Sequence, residues 1–177
     1  RAQAEDAARR FEDVKLTAVC ASDLIRASDT ARSIAEAQGL SVITDPRFRE
    51  IDQGEWTGLE VEEIGRRWPE LWGPARHYSK RPGGESPQEV RARALAGLRD
   101  VVEAHPEGTV VIVSHGGTIR WLAAEALGYD DRRSARIRGL GNGQAVKMRV
   151  GLEQGVLTFG AFARLDGSTA DLDDPND

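Results

Sequence analysis

The residues best placed for chemistry lie where an apolar, β-branched run, Val110, Val111, Ile112 and Val113, stops at Ser114, His115, Gly116, Gly117 and Thr118. A helical pattern follows over residues 118–127. A run without polar alternation reads as a strand of a parallel sheet, buried on both faces. Ligands of such sheets bind at the carboxyl ends of the strands, which is where His115 falls. Gly116 and Gly117 let a ligand approach the backbone, and the first N–H groups of the helix face an anion. A phosphate suits that position; the competing reading is a tight turn holding a hydrogen-bonded core histidine.

If His115 marks an anion site, neighbouring strand ends should add charge, and two stretches do. Arg26 falls in the first turn of a helix that begins after an apolar strand, so its guanidinium can turn back and grip two phosphate oxygens. The second stretch runs Arg49, Glu50, Ile51, Asp52, Gln53, Gly54, Glu55, Trp56. A carboxyl group beside an aromatic loop can keep its proton near neutral pH and serve as a general acid. Glu50, Asp52 and Glu55 all qualify on composition. Cys20 and Arg26 have the C-x5-R spacing of thiol phosphatases, but Asp23, Leu24 and Ile25 would occupy the phosphate cradle. With no cation other than Arg26 placed to activate the thiol, Cys20 reads as a small core residue. A serine hydrolase lacks support, because no G-x-S-x-G elbow occurs.

The elements that must position these groups alternate helix and strand. Residues 1–14 place Ala4, Ala7, Ala8, Phe11 and Val14 on one helical face. A strand over 17–21 follows, then Ser22 and Asp23 as N-cap candidates for a helix over 24–37 that Gly39 ends. A short strand over 41–44 leads into an ordered loop, 47–58, and a short helix from Leu59 to Trp68. The irregular stretch up to Gly84 holds Trp72, His77 and Tyr78. Together with Trp56 and Trp68 it reads either as a lid over a pocket or as a loop whose aromatics complete the core. Ser86, Pro87 and Glu89 spell a capping box for a helix to about Ala104. Strands over 144–150 and 156–163 form a hairpin through residues 151–155. The acidic stretch 166–177 has too few apolar residues to bury and is expected to be disordered.

At 177 residues, 40% hydrophobic and 30% charged, the chain suits one domain, 1–165, with a full core. A formal net charge of −5 gives no basic face for nucleic acid. One cysteine and three scattered histidines give neither a disulfide framework nor zinc-like spacing, so a cytoplasmic protein without a metal is expected. No apolar run is long enough to span a membrane.

Taken together, S-D-L-x-R-A-x-x-T-A at 22–31, R-E-I-x-x-G-x-W-x-G at 49–58, P-G-G-E-S at 82–86 and V-S-H-G-G at 113–117 resemble the histidine phosphatase superfamily, the phosphoglycerate mutase-like enzymes. The resemblance spans most of the chain, in order. It implies an α/β fold, a three-layer α/β/α sandwich around a mainly parallel sheet. It also implies that Arg26 clamps phosphate, Glu50 gives and takes the proton, and His115, with Gly116, binds the phosphoryl group. The family's nucleophilic histidine lies in an R-H-G motif on its first strand, and this sequence has no such motif; His77 and His105 have other contexts. Arg1, Ala2, Gln3 and Ala4 resemble the family's first helix joined in progress. In the family the strand before it lies inside the sheet. Its loss would leave buried edges with unpaired N–H and C=O groups at ~1–3 kcal/mol each. The sequence is therefore expected to be an N-terminally incomplete stretch of a normal enzyme.

The function expected is a phosphomonoesterase acting on a small phosphate ester through a phosphohistidine. The alternatives are a phosphoglycerate mutase and a phosphate-binding module without catalysis. A homodimer is allowed as the assembly, with no nucleic acid, membrane or cofactor. A likeness around Gly139 to Gly143 to sugar-phosphoglycerate phosphatases does not name a substrate.

Overall fold

The computed structural model describes residues 2–134, 137 and 141–165. The acidic stretch 166–177, and Gly139 and Leu140 of the 139–143 segment, lie outside the described residues. The chain order is α1 (Ala2–Arg9), β1 (Ala18–Ala21), α2 (Ile25–Ala37), β2 (Val42–Thr44), α3 (Val61–Arg67), α4 (Pro87–Ala104), β3 (Val110–Val113), α5 (Gly116–Ala126), α6 (Asp131–Ser134), β4 (Val146–Glu153) and β5 (Val156–Arg164). Strands β2, β1 and β3 form a parallel sheet in that order, with Val19 opposite Val42 and Val111. Among the described residues, no helix is long and apolar enough to cross a membrane.

Alternation along the strands sorts the core into two layers. Val19, Ala21, Val42, Val111 and Val113 pack with Ala7, Ala31, Ile34 and Ala35 of α1 and α2. Ile112 turns to the other face, where it meets Ala94 and Leu98 of α4 and Leu122 of α5. Helices on both faces of a parallel sheet make the three-layer α/β/α sandwich. The antiparallel β4–β5 hairpin forms a second sheet, and its Val150, Leu157 and Phe159 pack on the α4–α5 layer.

Several elements differ from the sequence expectation. α1 stops at Arg9 rather than continuing to residue 14, because the Phe11 and Val14 amides bond only three residues back in tight turns. Gln38 holds that turn, donating to the Phe11 carbonyl at 2.9 Å and accepting from the Leu16 amide at 3.4 Å. β1 is buried throughout, whereas β3, expected to be buried on both faces, is half-buried among the described residues, where it lies at one end of the β2-β1-β3 order. Leu24, not Ser22 or Asp23, caps α2, and the Ser22 hydroxyl instead accepts the Leu24 amide. The hairpin turn shrinks from the expected 151–155 to Gln154 and Gly155, both with positive φ, as a tight two-residue turn requires. α4 keeps its expected bounds, with Ser86 and Glu89 completing the capping box.

Candidate active site

The carboxyl end of β1 delivers Ser22 and Arg26, and that of β3 delivers His115, which caps α5. Arg26 Nε donates to His115 Nδ1 at 3.2 Å, and His115 Nε2 lies 2.9 Å from Ser22 Oγ. Since Nδ1 accepts, the proton of the neutral ring sits on Nε2 and is donated to Ser22. His115 and Ser22 are both buried. Burial lowers the His115 pKa below the usual histidine value and the Arg26 cation lowers it further, against a weaker pull from Glu50. The imidazole is thus held neutral at neutral pH.

Glu50 reaches the same place from a different direction. It follows a 3-10 turn, Pro46–Phe48, rather than a strand end as expected; β2 has already ended at Thr44. One carboxylate oxygen accepts the Ile51 amide at 3.0 Å and the other accepts the Gly117 amide at 3.1 Å. The expected anion at the N-terminus of α5 is therefore first of all this carboxylate. Gly117 is required by close approach: a Cβ there would stand 2.4 Å from a Glu50 oxygen. Gly116 opens α5 beside His115. Asp52 and Glu55 are exposed, and Asp52 accepts the Gly54 amide at 2.9 Å, which pins the loop. Of the carboxylates that composition left open, Glu50 is the one bound to the His115 turn.

Groups that the sequence reading did not single out hold Glu50 in place. Arg93 donates to the carbonyls of Arg47 (2.6 Å), Arg49 (2.8 Å) and Glu50 (3.2 Å), and pairs with Glu85 at 2.7 and 2.9 Å. Ser114 and Thr118 hydroxyls donate to the carbonyls of Phe48 and Arg49 at 2.7 and 2.8 Å. Arg49 itself forms a two-pronged pair with Asp23, whose carboxyl is held below its usual range chiefly by that bond. The missed signal was Arg93 itself, a cation on the face of α4 that also carries buried Val90, Ala94 and Gly97. A charge on a buried helical face implies a partner there.

An aromatic wall is tied to the loop that carries Glu50. Trp56 is buried, its ring 5.5 Å from Trp72 and 6.3 Å from Trp68. Trp56 completes a core, as one of the two readings of this stretch expects, while Trp72 and Tyr78 stay more open. Arg81 lies over Trp56, and the 81–85 turn is tied to the Glu50 loop by the Glu55 amide to Pro82 carbonyl bond and the Glu85 amide to Asp52 carbonyl bond. Cys20 is buried and its thiol pKa is raised by burial, so it is no nucleophile; Arg26 serves His115 instead.

A three-layer α/β/α sandwich with an arginine, a histidine and a carboxylate meeting at strand ends defines a class of α/β protein built to handle an anionic group. The sequence profile of the histidine phosphatase superfamily (branch 1) matches residues 1–159, and the chain belongs to that family. It is 37% identical over 131 residues to phosphoserine phosphatase 1 of Hydrogenobacter thermophilus, covering 72% of this chain and 62% of that protein. It is 35% identical over 140 residues to a probable phosphoglycerate mutase, GpmB, of an Enterobacter species, covering 77% and 65%. The chain thus spans a little under two thirds of these relatives. Among solved structures, a mycobacterial glucosyl-3-phosphoglycerate phosphatase complexed with VO3 superposes with a TM-score of 0.79 at 29% identity, covering 90% of this chain and 81% of that one.

Proposed function

We propose that this protein is a phosphomonoesterase that hydrolyses a small phosphate ester through a phosphohistidine. The observation that carries the reading is the convergence of Arg26, His115 and Glu50, with the Arg26–His115 bond at 3.2 Å and Glu50 seated on the turn that follows His115. The names of the similar proteins, a phosphoserine phosphatase and a glucosyl-3-phosphoglycerate phosphatase, support the reaction class.

In this reading a histidine ahead of Arg1, where the family resemblance puts it, attacks phosphorus in line and the ester oxygen leaves with a proton from Glu50. The Glu50 carboxylate then takes a proton from water as that water attacks the phosphohistidine, and phosphate and the free imidazole are released. Arg26 contributes two N–H donors to the equatorial oxygens, where electrostatic positioning supplies most of the catalysis. The arriving dianion offsets the Arg26 charge beside His115 and raises the imidazole pKa. Protonated at Nδ1, His115 gives up the bond it accepts from Arg26 Nε and holds a phosphoryl oxygen through the new N–H. The proposal includes one domain, a cytoplasmic location, which the lone buried Cys20 supports, and a homodimer as the allowed assembly.

The test is product analysis with a gene product that includes the residues ahead of Arg1. Incubated with phosphoserine, 3-phosphoglycerate and phenyl phosphate, it should release inorganic phosphate. Conversion of 3-phosphoglycerate to 2-phosphoglycerate without phosphate release identifies a mutase instead. Binding without turnover identifies a phosphate-binding module.

A further inference from the structure

We propose that Arg76, Arg81 and Arg120 form a second anion subsite on the far side of Glu50, so that the ester this protein takes carries another negative group on its alcohol portion. This rests on the phosphatase reading above.

The geometry begins with one aromatic platform. The Arg81 guanidinium lies 5.3 Å from the Trp56 ring centroid and that of Arg76 lies 5.2 Å from the Trp72 centroid, and the two rings meet edge to face at 5.5 Å. Arg120 approaches from α5. It stands three residues after Gly117, hence on the same helical face as the amide that holds Glu50, and its guanidinium stacks on Trp121 at 5.5 Å.

These cations are unmatched, which sets them apart from Arg47, Arg49, Arg91 and Arg93, each with a carboxylate partner. Arg81 donates to the Ser79 carbonyl at 2.9 Å, yet its Nε is buried without an acceptor. Arg120 makes no hydrogen bond or ion pair with any described residue, and its Nε is buried too. The buried Trp56 indole N–H likewise lacks an acceptor. Taking a guanidinium out of water without a partner is costly, so such donors imply an acceptor that the fold does not supply. Electrostatics agree with the distances. Burial first, and then mutual repulsion, hold Arg81 below the ordinary arginine value, and Arg120 is lowered by burial with Glu50 opposing. His77, lowered mainly by burial, also feels Arg76, Arg120 and Arg81 together.

Arg81 and Arg120 feel the Glu50 charge, as His115 does, and the two Glu50 oxygens are engaged by backbone amides. The phosphoryl group is served on the Arg26 side. The remaining positive charge faces the leaving group, and a carboxylate or a second phosphate there would receive the unpaired donors.

The experiment compares kcat/KM of the full gene product for ethyl phosphate, phosphoglycolate and ethane-1,2-diol bisphosphate, which share a two-carbon alcohol and differ in its far substituent. The wild type should favour at least one of the two esters with a second anionic group over ethyl phosphate by about 10–100-fold, the worth of one or two charge-assisted hydrogen bonds. Whichever ester gains more identifies carboxylate or phosphate. In Arg81→Gln/Arg120→Gln that ratio should collapse toward one while Tm rises, because unpaired buried charge has been removed. Equal rates for all three esters in the wild type, or an unchanged ratio in the double variant with a lowered Tm, would overturn the subsite. If no ester is hydrolysed, the phosphatase reading fails. Calorimetric binding of phosphoglycolate against ethyl phosphate then decides the subsite on the same ratio.

Discussion

The two sides of Glu50 are built on opposite principles. On the His115 side nearly every polar group has its partner: Arg26 with His115, His115 with Ser22, Glu50 with two amides, and Arg93 with three carbonyls and Glu85. On the tryptophan side Arg81, Arg120 and Trp56 each bury a donor that finds none. A satisfied network fixes geometry, which a reaction centre needs, because small displacements of reacting groups cost large factors in rate. An unsatisfied wall stores free energy that only a ligand can release. On the proposed reading the contrast separates residues that perform the reaction from residues that choose the substrate, and each can be tested by removing one member.

The largest effect is expected at the hinge between the sides. Glu50→Gln keeps the shape of the side chain and one of the two amide bonds to Ile51 and Gly117, since its NH2 cannot accept, and it has no acidic proton to give, so alkyl phosphate hydrolysis should slow by ~10²–10⁴-fold. A nitrophenyl ester, whose leaving group needs no proton, should lose much less in its first step. Single-turnover rates for both ester types in Glu50→Gln, Asp52→Asn and Glu55→Gln check this. If Asp52→Asn or Glu55→Gln showed the leaving-group-dependent loss and Glu50→Gln did not, the proton donor lies elsewhere and Glu50 is only a structural anion at the start of α5.

A smaller effect sharpens the claim that the satisfied side is a positioning device. Arg93→Met keeps the apolar stem of the side chain while leaving Glu85 unpaired and three carbonyls without their donor. It should cost about 2–3 kcal/mol in urea unfolding, as expected for a broken, partly buried charge network. Because Arg93 acts through Glu50, kcat should fall while KM for the ester changes little. Glu85→Gln, which leaves Arg93 in place with one acceptor, should show only part of both losses. A variant with lowered stability and unchanged kcat would make Arg93 merely structural.

What the sequence disclosed follows the range of the forces involved. Local signals were legible: the capping box at Ser86 and Glu89, the apolar run Val110–Val113, the helix stop at Gly39 and the strand-to-helix turn at His115 are each written within a few residues. Arg26 and His115 were paired because both follow strand ends, and parallel strands bring such ends to one edge. Hidden were arrangements that depend on partners far along the chain. The Gln38 clasp that shortens α1 spans residues 11 to 38. The half-buried β3 lies at one end of the β2-β1-β3 order among the described residues, and the Arg93 clamp reaches 46 residues back to Arg47. The tryptophans gave notice of the wall, but no local pattern said that its arginines would be left without carboxylates.

The smallest effect tests the satisfied side through its proton. His115 is buried, bonded by Arg26 at Nδ1 and held neutral, so its folded pKa lies below the unfolded value of about 6.5. The unfolded chain therefore takes up a proton more readily. Stability is fully present above pH ~6.5 and is lost as pH falls from there toward the lowered folded value. His77, also lowered mainly by burial, adds a term of the same sign. The carboxylates Asp23, Asp45 and Glu85, lowered by their arginine partners, act in a separate, more acid window. They keep their contribution until pH falls below about 4.5. Urea midpoints at closely spaced pH values should accordingly fall in two steps, the first beginning near pH 6.5. His77→Asn should remove part of that first step and leave the rest, which belongs to His115. A wild-type curve flat from pH 7 to 5 would mean that His115 titrates alike in the folded and unfolded chain, so that its burial beside Arg26 does not hold it neutral, and a curve that rises as pH falls would mean that His115 is charged in the folded state.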